Sequence, residues 1–422
     1  MSSVISIVGK AKWLTSKPLQ RLLSVLSAEG EEARVAGGAV RNALLGQQVA
    51  DIDIATTTLP EETARRAEAA GFKAVPTGIE HGTITVVAVG KPYQVTTLRD
   101  DIETDGRRAK VRFGRDWRRD AERRDFTINA LYATADGSVI DLVGGLADLD
   151  NRTVRFIGDA ETRIREDFLR VLRFFRFFAW YGAGRPDADG LKACARLKDG
   201  LDQLSAERVW TELRKLLAAP DPSRALLWMR QASVLTRILP ESEKWGIDLI
   251  HPLTKAEADL GWAPDALARL EALVPPDAER LEALAERLKL SSAEGARLGL
   301  WAKTGNVAPA TTESALAKLL YEGDRQAILD RLRLALATAR AKAVGDDKAM
   351  IEAGGYSRLI RFAEKWERPA FPLKGGDLAA LGFEPGPKLG AALKKVEGEW
   401  IASGFSLERP ALLERAGSLA KD

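Results

Sequence analysis

The sequence predicts an α+β protein, with a head built on a mixed sheet followed by an all-α neck, body and tail. Three observations carry that reading. Alternating, β-branched segments crowd between about residues 32 and 150. Beyond about 150 the apolar residues recur at helical spacing and strand-like runs almost vanish. The change happens once, with no internal repeat and no low-complexity tract. The expected divisions are a helical lead-in at 1–30, a head at 31–150, a neck at 151–218, a body at 219–365 and a tail at 366–422.

In chain order, the lead-in places Leu19, Leu22, Leu23 and Leu26 on one helical face. Ala33 to Ala36 is a short strand entering a Gly37-Gly38 turn, and a helix is expected to start at Ala39. Residues 51–54 alternate Asp51, Ile52, Asp53, Ile54, a half-buried strand. Thr58 with Glu61 three residues on reads as a capping box opening the next helix. Thr83–Val89 and Tyr93–Leu98, joined by Gly90-Lys91-Pro92, read as a hairpin. Ile128–Ala133 and Val139–Leu142 pair across Asp136-Gly137. Helical spacing then marks 163–181, 206–217, 265–273, 277–290 and 325–342, with breaks at 182–190, 219–223 and 303–312.

Composition narrows the chemistry. The 422 residues hold 63 Lys+Arg against 60 Asp+Glu, a balance that neither demands nor excludes nucleic acid. A single cysteine, Cys194, leaves no disulfide framework and no cysteine-based zinc site. Two histidines, His81 and His251, neither beside an aspartate, exclude a His/Asp metal phosphohydrolase and make a Ser-His-Asp triad improbable. No apolar run approaches the ~18 residues of a membrane span, and no signal pattern opens the chain. A cytoplasmic protein without membrane or disulfide partners is expected.

The chemistry concentrates at four places. Residues two apart on a strand share a face, so Asp51 and Asp53 project together while Ile52 and Ile54 point inward. Two adjacent carboxylates suit a pair of Mg²⁺ ions shared with nucleotide phosphates, although a turn or a solvated strand face would also show this pattern. Ten residues upstream, Gly37 and Gly38 let backbone approach a phosphate, the following helix start favours an anion, and Arg41 adds a fixed charge. Arg118-Arg119-Asp120 and Arg123-Arg124-Asp125 repeat one tripeptide. The first reads as a solvated helix face. The second leads into the buried-looking Phe126-Thr127-Ile128, so its arginine can point from the core edge into a cleft. Finally Glu166, Asp167, Arg170, Arg173 and Arg176 fall on one broad face of the helix expected at 163–181. An internal salt-bridge ladder would explain them, but three arginines exceed two acids and leave cationic capacity for a triphosphate. An Asp/Arg pair can also test the hydrogen-bonding edge of a base.

Taken together, these residues resemble the class II tRNA nucleotidyltransferases, the CCA-adding enzymes, within the larger family that includes bacterial poly(A) polymerases. The first motif is similar to Gly37-Gly38-Ala39-Val40-Arg41 with Leu44-Leu45-Gly46 and Asp51-Ile52-Asp53. The second is similar to Arg123-Arg124-Asp125, and the nucleotide-template motif to Glu166-Asp167 with Arg170, followed by Arg173 and Arg176. Leu204-Ser205-Ala206-Glu207-Arg208 resembles the helix opening after the neck. The motifs span 35 to about 215; one departure is Asn42, where the family commonly has Asp. Near the end, Gly386-Pro387-Lys388-Leu389-Gly390 with Lys394 and Lys395 looks like a tRNA-binding tail, although an ordinary helix–turn–helix would give the same composition.

The resemblance implies a polymerase-β-like nucleotidyltransferase head and template-independent addition of C, C and A to tRNA, with CTP and ATP as substrates. Asp51 and Asp53 would hold Mg²⁺. Gly37, Gly38 and Arg41 would cradle the triphosphate, and Arg124 and Asp125 would serve the nucleotide. Asp167 and Arg170 would read the base, with Glu166, Arg173 and Arg176 around them. Gly386, Lys388, Gly390 and Lys394 would contact RNA. The competing readings are a poly(A) polymerase with the same catalytic residues and a catalytically inert tRNA-binding protein. Thr77 to Thr83 lacks the Arg-rich segment of the former, and the segment Arg99–Arg118 is intact where CC-only enzymes are shortened. A purely binding role has no use for two carboxylates facing a phosphate backbone.

Overall fold

The structure, a computed structural model, describes residues 5–105, 108–243 and 245–419, and the backbone alone for residues 81, 100–105 and 108–111. The ends of the expected lead-in and tail, and the tip of the Arg99–Arg118 segment, lie outside the described residues. The chain forms two compact units, Met1–Pro240 and Glu241–Asp422.

In the first unit, α1 (Lys17–Leu26) buries all four leucines of its apolar face. It leads to β1 (Ala33–Ala36), α2 (Gly38–Leu44), β2 (Asp53–Thr56), α3 (Pro60–Ala69), β3 (Lys73–Gly78), β4 (Thr83–Ala88) and β5 (Lys91–Thr97). A ribbon of β6 (Arg99–Asp105) and β7 (Arg108–Phe113) follows, then α4 (Trp117–Glu122), β8 (Leu131–Ala133) and β9 (Val139–Asp141). Seven strands make a sheet of order β3-β4-β5-β2-β1-β8-β9. The β2–β5 pair is parallel and its other pairs are antiparallel, so the sheet is mixed as expected.

Local chemistry moved several expected boundaries. The hairpin turns at Val89 and Gly90, both at positive φ as a type I′ turn requires, so Lys91 and Pro92 belong to β5. Residues 127–129 are a 3₁₀ turn, which shortens the strand expected from Ile128 to Leu131–Ala133. The capping box at Thr58 is absent. Pro60 opens α3 instead, and the Thr58 hydroxyl donates to the Leu26 carbonyl at 3.1 Å.

The sheet is followed in the same unit by α5 (Gly145–Asp150), α6 (Ala160–Glu166), α7 (Leu169–Tyr181), α8 (Ala188–Leu197), α9 (Ala206–Leu217), α10 (Ser223–Gln231) and α11 (Val234–Ile238). The single helix expected at 163–181 is therefore two, α6 and α7, interrupted at Asp167 and Phe168. Six large apolar residues of α7 are buried, from Val171 to Phe178. Phe174 and Phe177 close on Phe126 and Phe156 with ring centroids 5.0–6.4 Å apart, tying the helix to the segment after Arg124-Asp125.

The second unit is helical throughout its described residues, from α12 (Ile250–Leu260), α13 (Ala266–Glu271), α14 (Ala278–Arg287) and α15 (Ser292–Lys303) to α16 (Glu313–Glu322), α17 (Arg325–Lys342) and α18 (Asp347–Lys365). α19 (Gly375–Ala379), α20 (Pro387–Ala402) and α21 (Arg409–Leu419) complete it. Leu316, Leu320, Leu332, Leu336, Leu359 and Ile360 form one core cluster, and Leu378, Val396, Trp400 and Leu412 close a smaller one around the tail helices.

Candidate active site

Antiparallel register does the first work of assembly. Ala36, the last residue of β1, pairs with Asp53 of β2 on one side and with Tyr132 of β8 on the other. The next residue, Gly37, has φ 67°, and a Cβ there would lie 3.2 Å from the Asn129 carbonyl and 3.3 Å from an Arg124 nitrogen. Glycine is thus required both by conformation and by close approach. α2 begins at Gly38, one residue earlier than expected.

An open cleft of about 530 Å³ starts at this turn, lined by Gly37, Gly38, Arg41, Asp53, Arg124, Asp125, Asn129, Asp167, Leu169, Arg170, Arg173, Phe177 and Arg208. Five arginines face three aspartates there, so the lining is cationic. The structure brings together most of the residues singled out in the sequence. Glu166 and Arg176 stand behind the lining, bound to Arg170 and to Glu212. Gly386, Lys388, Gly390 and Lys394 lie in the other unit, all exposed around the start of α20.

Asp53 opens β2, while Asp51 and Ile52 precede the strand. The alternation survives that boundary, since Asp51 and Asp53 are exposed and Ile52 and Ile54 buried. Among the described residues neither carboxylate has a hydrogen-bond or ion-pair partner. Although Asp53 reaches solvent, partial desolvation by the surrounding protein pushes its carboxyl pKa upward; Arg124 opposes the shift and Asp51 adds to it. Two unpartnered carboxylates form an all-oxygen donor set of the kind Mg²⁺ takes when phosphates and water complete the shell. No group of three or more His, Cys, Asp or Glu gathers as a metal cluster among the described residues. The residues present fit a substrate-completed ion pair.

Arg41 is buried yet has only neutral hydrogen-bond partners. It donates to Asn42 at 3.0 and 3.1 Å, to the Tyr181 hydroxyl at 2.8 Å and to Asn129, and it lies 3.9 Å from the Tyr181 ring centre. Burial lowers its pKa, although a guanidinium stays charged. Asn42, the departure from the family pattern, also donates to the Gln48 carbonyl at 3.1 Å, which an aspartate could not do.

The other arginines meet carboxylates, and this corrects the reading that three helix arginines outnumber their acids. The missing acids come from other segments. Arg173 binds Asp125 at 2.8 Å, Arg176 binds Glu212 of α9 at 2.6 Å, and Arg208 of α9 binds Asp167 at 2.7 Å. Burial alone would raise the Asp125 pKa, but Arg173 and Asn129 hold it below the usual carboxylate range. Asp120 is also corrected. Arg118 and Arg119 are solvated as expected, but Asp120 is 1 % exposed and binds Arg123 and Arg124.

The interruption between α6 and α7 frees Asp167 from helical geometry. Its Oδ1 accepts from the Leu169 N–H at 3.0 Å, as a helix-opening aspartate does, leaving the carboxylate facing the cleft. Phe168 wedges the break. A Cβ on Gly200 would lie 2.0 Å from the Phe168 ring, so the ring rests against bare backbone. Arg163 of α6 donates to the Arg124 carbonyl at 2.8 Å and to Glu166 at 2.6 Å, anchoring the break to the Arg-Arg-Asp segment. Sequence reasoning missed Asn129, Tyr181 and Asp120 as site residues and met Arg208 only as the end of the Leu204–Arg208 motif, with no site role; Asp120 carried a local signal, lying three and four residues before two arginines.

Comparison with known proteins follows the same outline. A family model described as "Poly A polymerase head domain" matches residues 33–155, and one described as "Probable RNA and SrmB- binding site of polymerase A" matches 186–245. The chain is 34% identical over 408 residues to a mitochondrial CCA tRNA nucleotidyltransferase 1 of Mus musculus, covering 95% of this chain and 90% of that protein. It is 34% identical over 382 residues to a CCA-adding enzyme of Streptococcus sanguinis, covering 89% and 90%. The structure of the Bacillus stearothermophilus CCA-adding enzyme in complex with CTP superposes with a TM-score of 0.67 at 27% identity, covering 96% of this chain and 99% of that one.

Proposed function

The chain belongs to the family of CCA tRNA nucleotidyltransferases, and we propose from its cleft how it extends the 3′ end of tRNA with C, C and A, consuming CTP and ATP and releasing pyrophosphate. The observation that carries the mechanism is the joining, in one cleft, of Asp53 and the Gly37-Gly38 turn with Asp167 and Arg170. Phosphate chemistry and base selection then share one space with no need for a nucleic acid template.

Enzymes of this family are metal-dependent, and Asp51 and Asp53 are the residues that would hold Mg²⁺. When bound, the ions lower the pKa of the primer 3′-hydroxyl and neutralise the leaving pyrophosphate. The chain's own residues do the rest. Gly37 and Gly38 admit the triphosphate to the backbone, and the uncompensated charge of Arg41 draws it there. Arg124, steadied by its carboxylate partner, faces the same phosphates. Arg173 and Asp125 brace each other across the junction between the sheet and α7.

Base choice falls to Asp167 and Arg170. An ionised carboxylate offers about four acceptor sites, and Asp167 uses one for Leu169 and one for Arg208, which leaves acceptance for an incoming amino group. Arg170 gives one nitrogen to Glu166 and the Arg163 carbonyl, so its outer donors remain for ring acceptors. Cytosine and adenine present an amino group where uracil and guanine present a carbonyl. A polar site of this kind rejects the mismatch by ~10⁴-fold because its groups would be left unpaired. Gly386, Lys388, Gly390 and Lys394 are proposed to position the tRNA backbone without reading sequence. A reducing, cytoplasmic location is proposed from the lone, buried Cys194, and among the described residues no helix is long and apolar enough to cross a membrane.

The test is incubation with tRNA lacking its 3′ end and each NTP singly, followed by sequencing of the products. Addition of two C residues with CTP alone, and of one further A when that product is then given ATP, supports the reading, whereas a run of A with ATP alone would mark a poly(A) polymerase. The same assay with Asp167→Ala should admit UTP while CTP transfer continues. Unaltered selectivity in the folded variant would remove Asp167 from base choice.

A further inference from the structure

Arg124 reaches the cleft from the end of a short helix, and a long side chain in that position needs a reason to stay. The reason lies behind it. Asp120, on α4, accepts from Arg124 Nη2 at 3.0 Å and Nε at 3.3 Å, from Arg123 Nε at 2.8 Å and from the Tyr132 hydroxyl at 2.7 Å. Three of these donors converge on Oδ2, while Arg123 holds Oδ1 through Nε and, at 2.6 Å, through Nη2, so protein donors occupy both oxygens of the carboxylate.

The clamp is itself fixed. Tyr132 pairs in register with Ala36, beside the Gly37 turn, and its ring meets Trp117 edge-on at 5.2 Å. Arg34 of β1 caps Trp117 at 3.9 Å from the ring centre. On its far side Arg124 Nη1 donates to the Asn129 carbonyl at 3.4 Å, which aims the guanidinium along the face of Gly37. Two arginines share one carboxylate, so the cluster keeps one net positive charge. Arg124 is the member that lines the cleft.

Electrostatics keep the arrangement intact. Burial alone would raise the Asp120 pKa, but Arg124 and Arg123 pull it below the usual carboxylate range. Burial and the neighbouring Asp120 push the Tyr132 phenol up, so it remains a donor.

We propose that Asp120, backed by Tyr132, is a positioning residue for nucleotide transfer, holding the Arg124 guanidinium against the Gly37-Gly38 turn so that it meets the incoming triphosphate already oriented. The proposal rests on reading the cleft as the nucleotide site. Asp120 touches neither substrate nor metal in this scheme and acts through Arg124 alone.

The test is a double-mutant cycle on steady-state kinetics with CTP and ATP on matched tRNA primers. Asp120→Asn keeps the shape and removes the charge, and should raise KM for both nucleotides by ~10-fold or more, as expected for losing a charge-assisted hydrogen bond. The effect on kcat should be smaller, and KM for the primer unchanged. Arg124→Ala should do the same, and the double variant should be no worse than Arg124→Ala. Independent, multiplying effects, or an unchanged nucleotide KM in Asp120→Asn, would overturn the proposal. Should Asp120→Asn fail to fold, the cycle of Tyr132→Phe with Arg124→Ala decides: non-additive KM effects support the clamp and additive ones refute it. Wild-type enzyme in the same assay separates the two levels. Its inactivity would refute the reading of the cleft, whereas an active wild type beside an unaffected Asp120→Asn refutes the clamp alone.

Discussion

The arginines around the cleft and those inside the helical unit Glu241–Asp422 are built from the same parts and end differently. In the helical unit, Arg269 and Glu257 are both almost fully buried and bind each other at 2.5 Å. Arg297 bridges Asp265 at 2.7 Å and Asp330 at 2.9 Å, and Gln326 completes Asp330. Around the cleft, Arg41 has only neutral partners, and Arg124 and Arg173 keep one side of each guanidinium on open space. Burial of charge is therefore no mark of a site in itself. A network that closes on itself holds helices together, and one left with unmatched charge beside an opening can hold a ligand. Beside that network, among the described residues, lies a buried carboxylate without a hydrogen bond. Glu271 is buried with no hydrogen bond to either oxygen, and burial and Asp330 raise its pKa well above the ordinary value.

The comparison can be broken most decisively at the open end. Asp53→Ala or Asp51→Ala should cut Mg²⁺-dependent nucleotide addition by ~10³-fold or more, the several kcal/mol that metal stabilisation supplies. Melting temperature should barely move, because both side chains are exposed. Appreciable Mg²⁺-dependent incorporation by either folded variant would sink the metal assignment.

Closed networks should behave in the opposite way. Arg297→Ala leaves Asp330 buried without its cation and should destabilise the protein by about 3 kcal/mol in denaturant titration, with KM for CTP in the folded enzyme unchanged. A variant as stable as wild type would show that the network is not structural.

Glu271 sharpens the contrast through pH. Its folded pKa lies above the unfolded value near 4.5, so the folded state holds a proton that the unfolded chain has already released. Stability is then undiminished below the unfolded pKa and falls as pH rises toward the folded one. Glu271→Gln removes that slope, so its advantage over wild type should grow by up to about 1.4 kcal/mol per pH unit above that point. Asp330, Asp265, Arg297 and Arg331 surround the group and remain in both proteins. A stability difference independent of pH would mean that Glu271 ionises normally.

The smallest effect is expected on the exposed tail. Lys388→Ala with Lys394→Ala should weaken tRNA binding modestly and reduce the slope of log K against log salt by about 2, roughly one for each phosphate no longer neutralised by a lysine. Nucleotide choice should not change. An unaltered slope would return the segment to an ordinary helix–turn–helix.

Much of this was legible in the sequence. Strongly periodic helices such as 206–217 and 325–342 kept their limits, and β1 matched at both ends, because pattern and burial agree there. Both glycines, Arg41, Asp53, Arg124, Asp125, Asp167, Arg170 and Arg173 met in one cleft as their motifs implied. What pattern could not separate was two helices from one. Apolar spacing runs on through Asp167-Phe168 because Ile164 of α6 and Val171 and Leu172 of α7 are all buried, and the break shows only as an aspartate of helix-opening type before Phe168-Leu169. The repeated Arg-Arg-Asp tripeptide was misread for a related reason. Composition cannot tell a solvated aspartate from one whose partners arrive from the next turn and from β8.

The wedge at Phe168 has a consequence for inheritance. Gly200 lies outside the cleft lining, carries no charge and sits in a 3₁₀ turn, so a change to alanine there would pass as harmless on any survey of motifs. Yet the added methyl would displace the Phe168 ring, and with it the neighbouring carboxylate proposed to choose the base. Such a change would act on the proposed base-reading carboxylate from outside every motif, through packing alone.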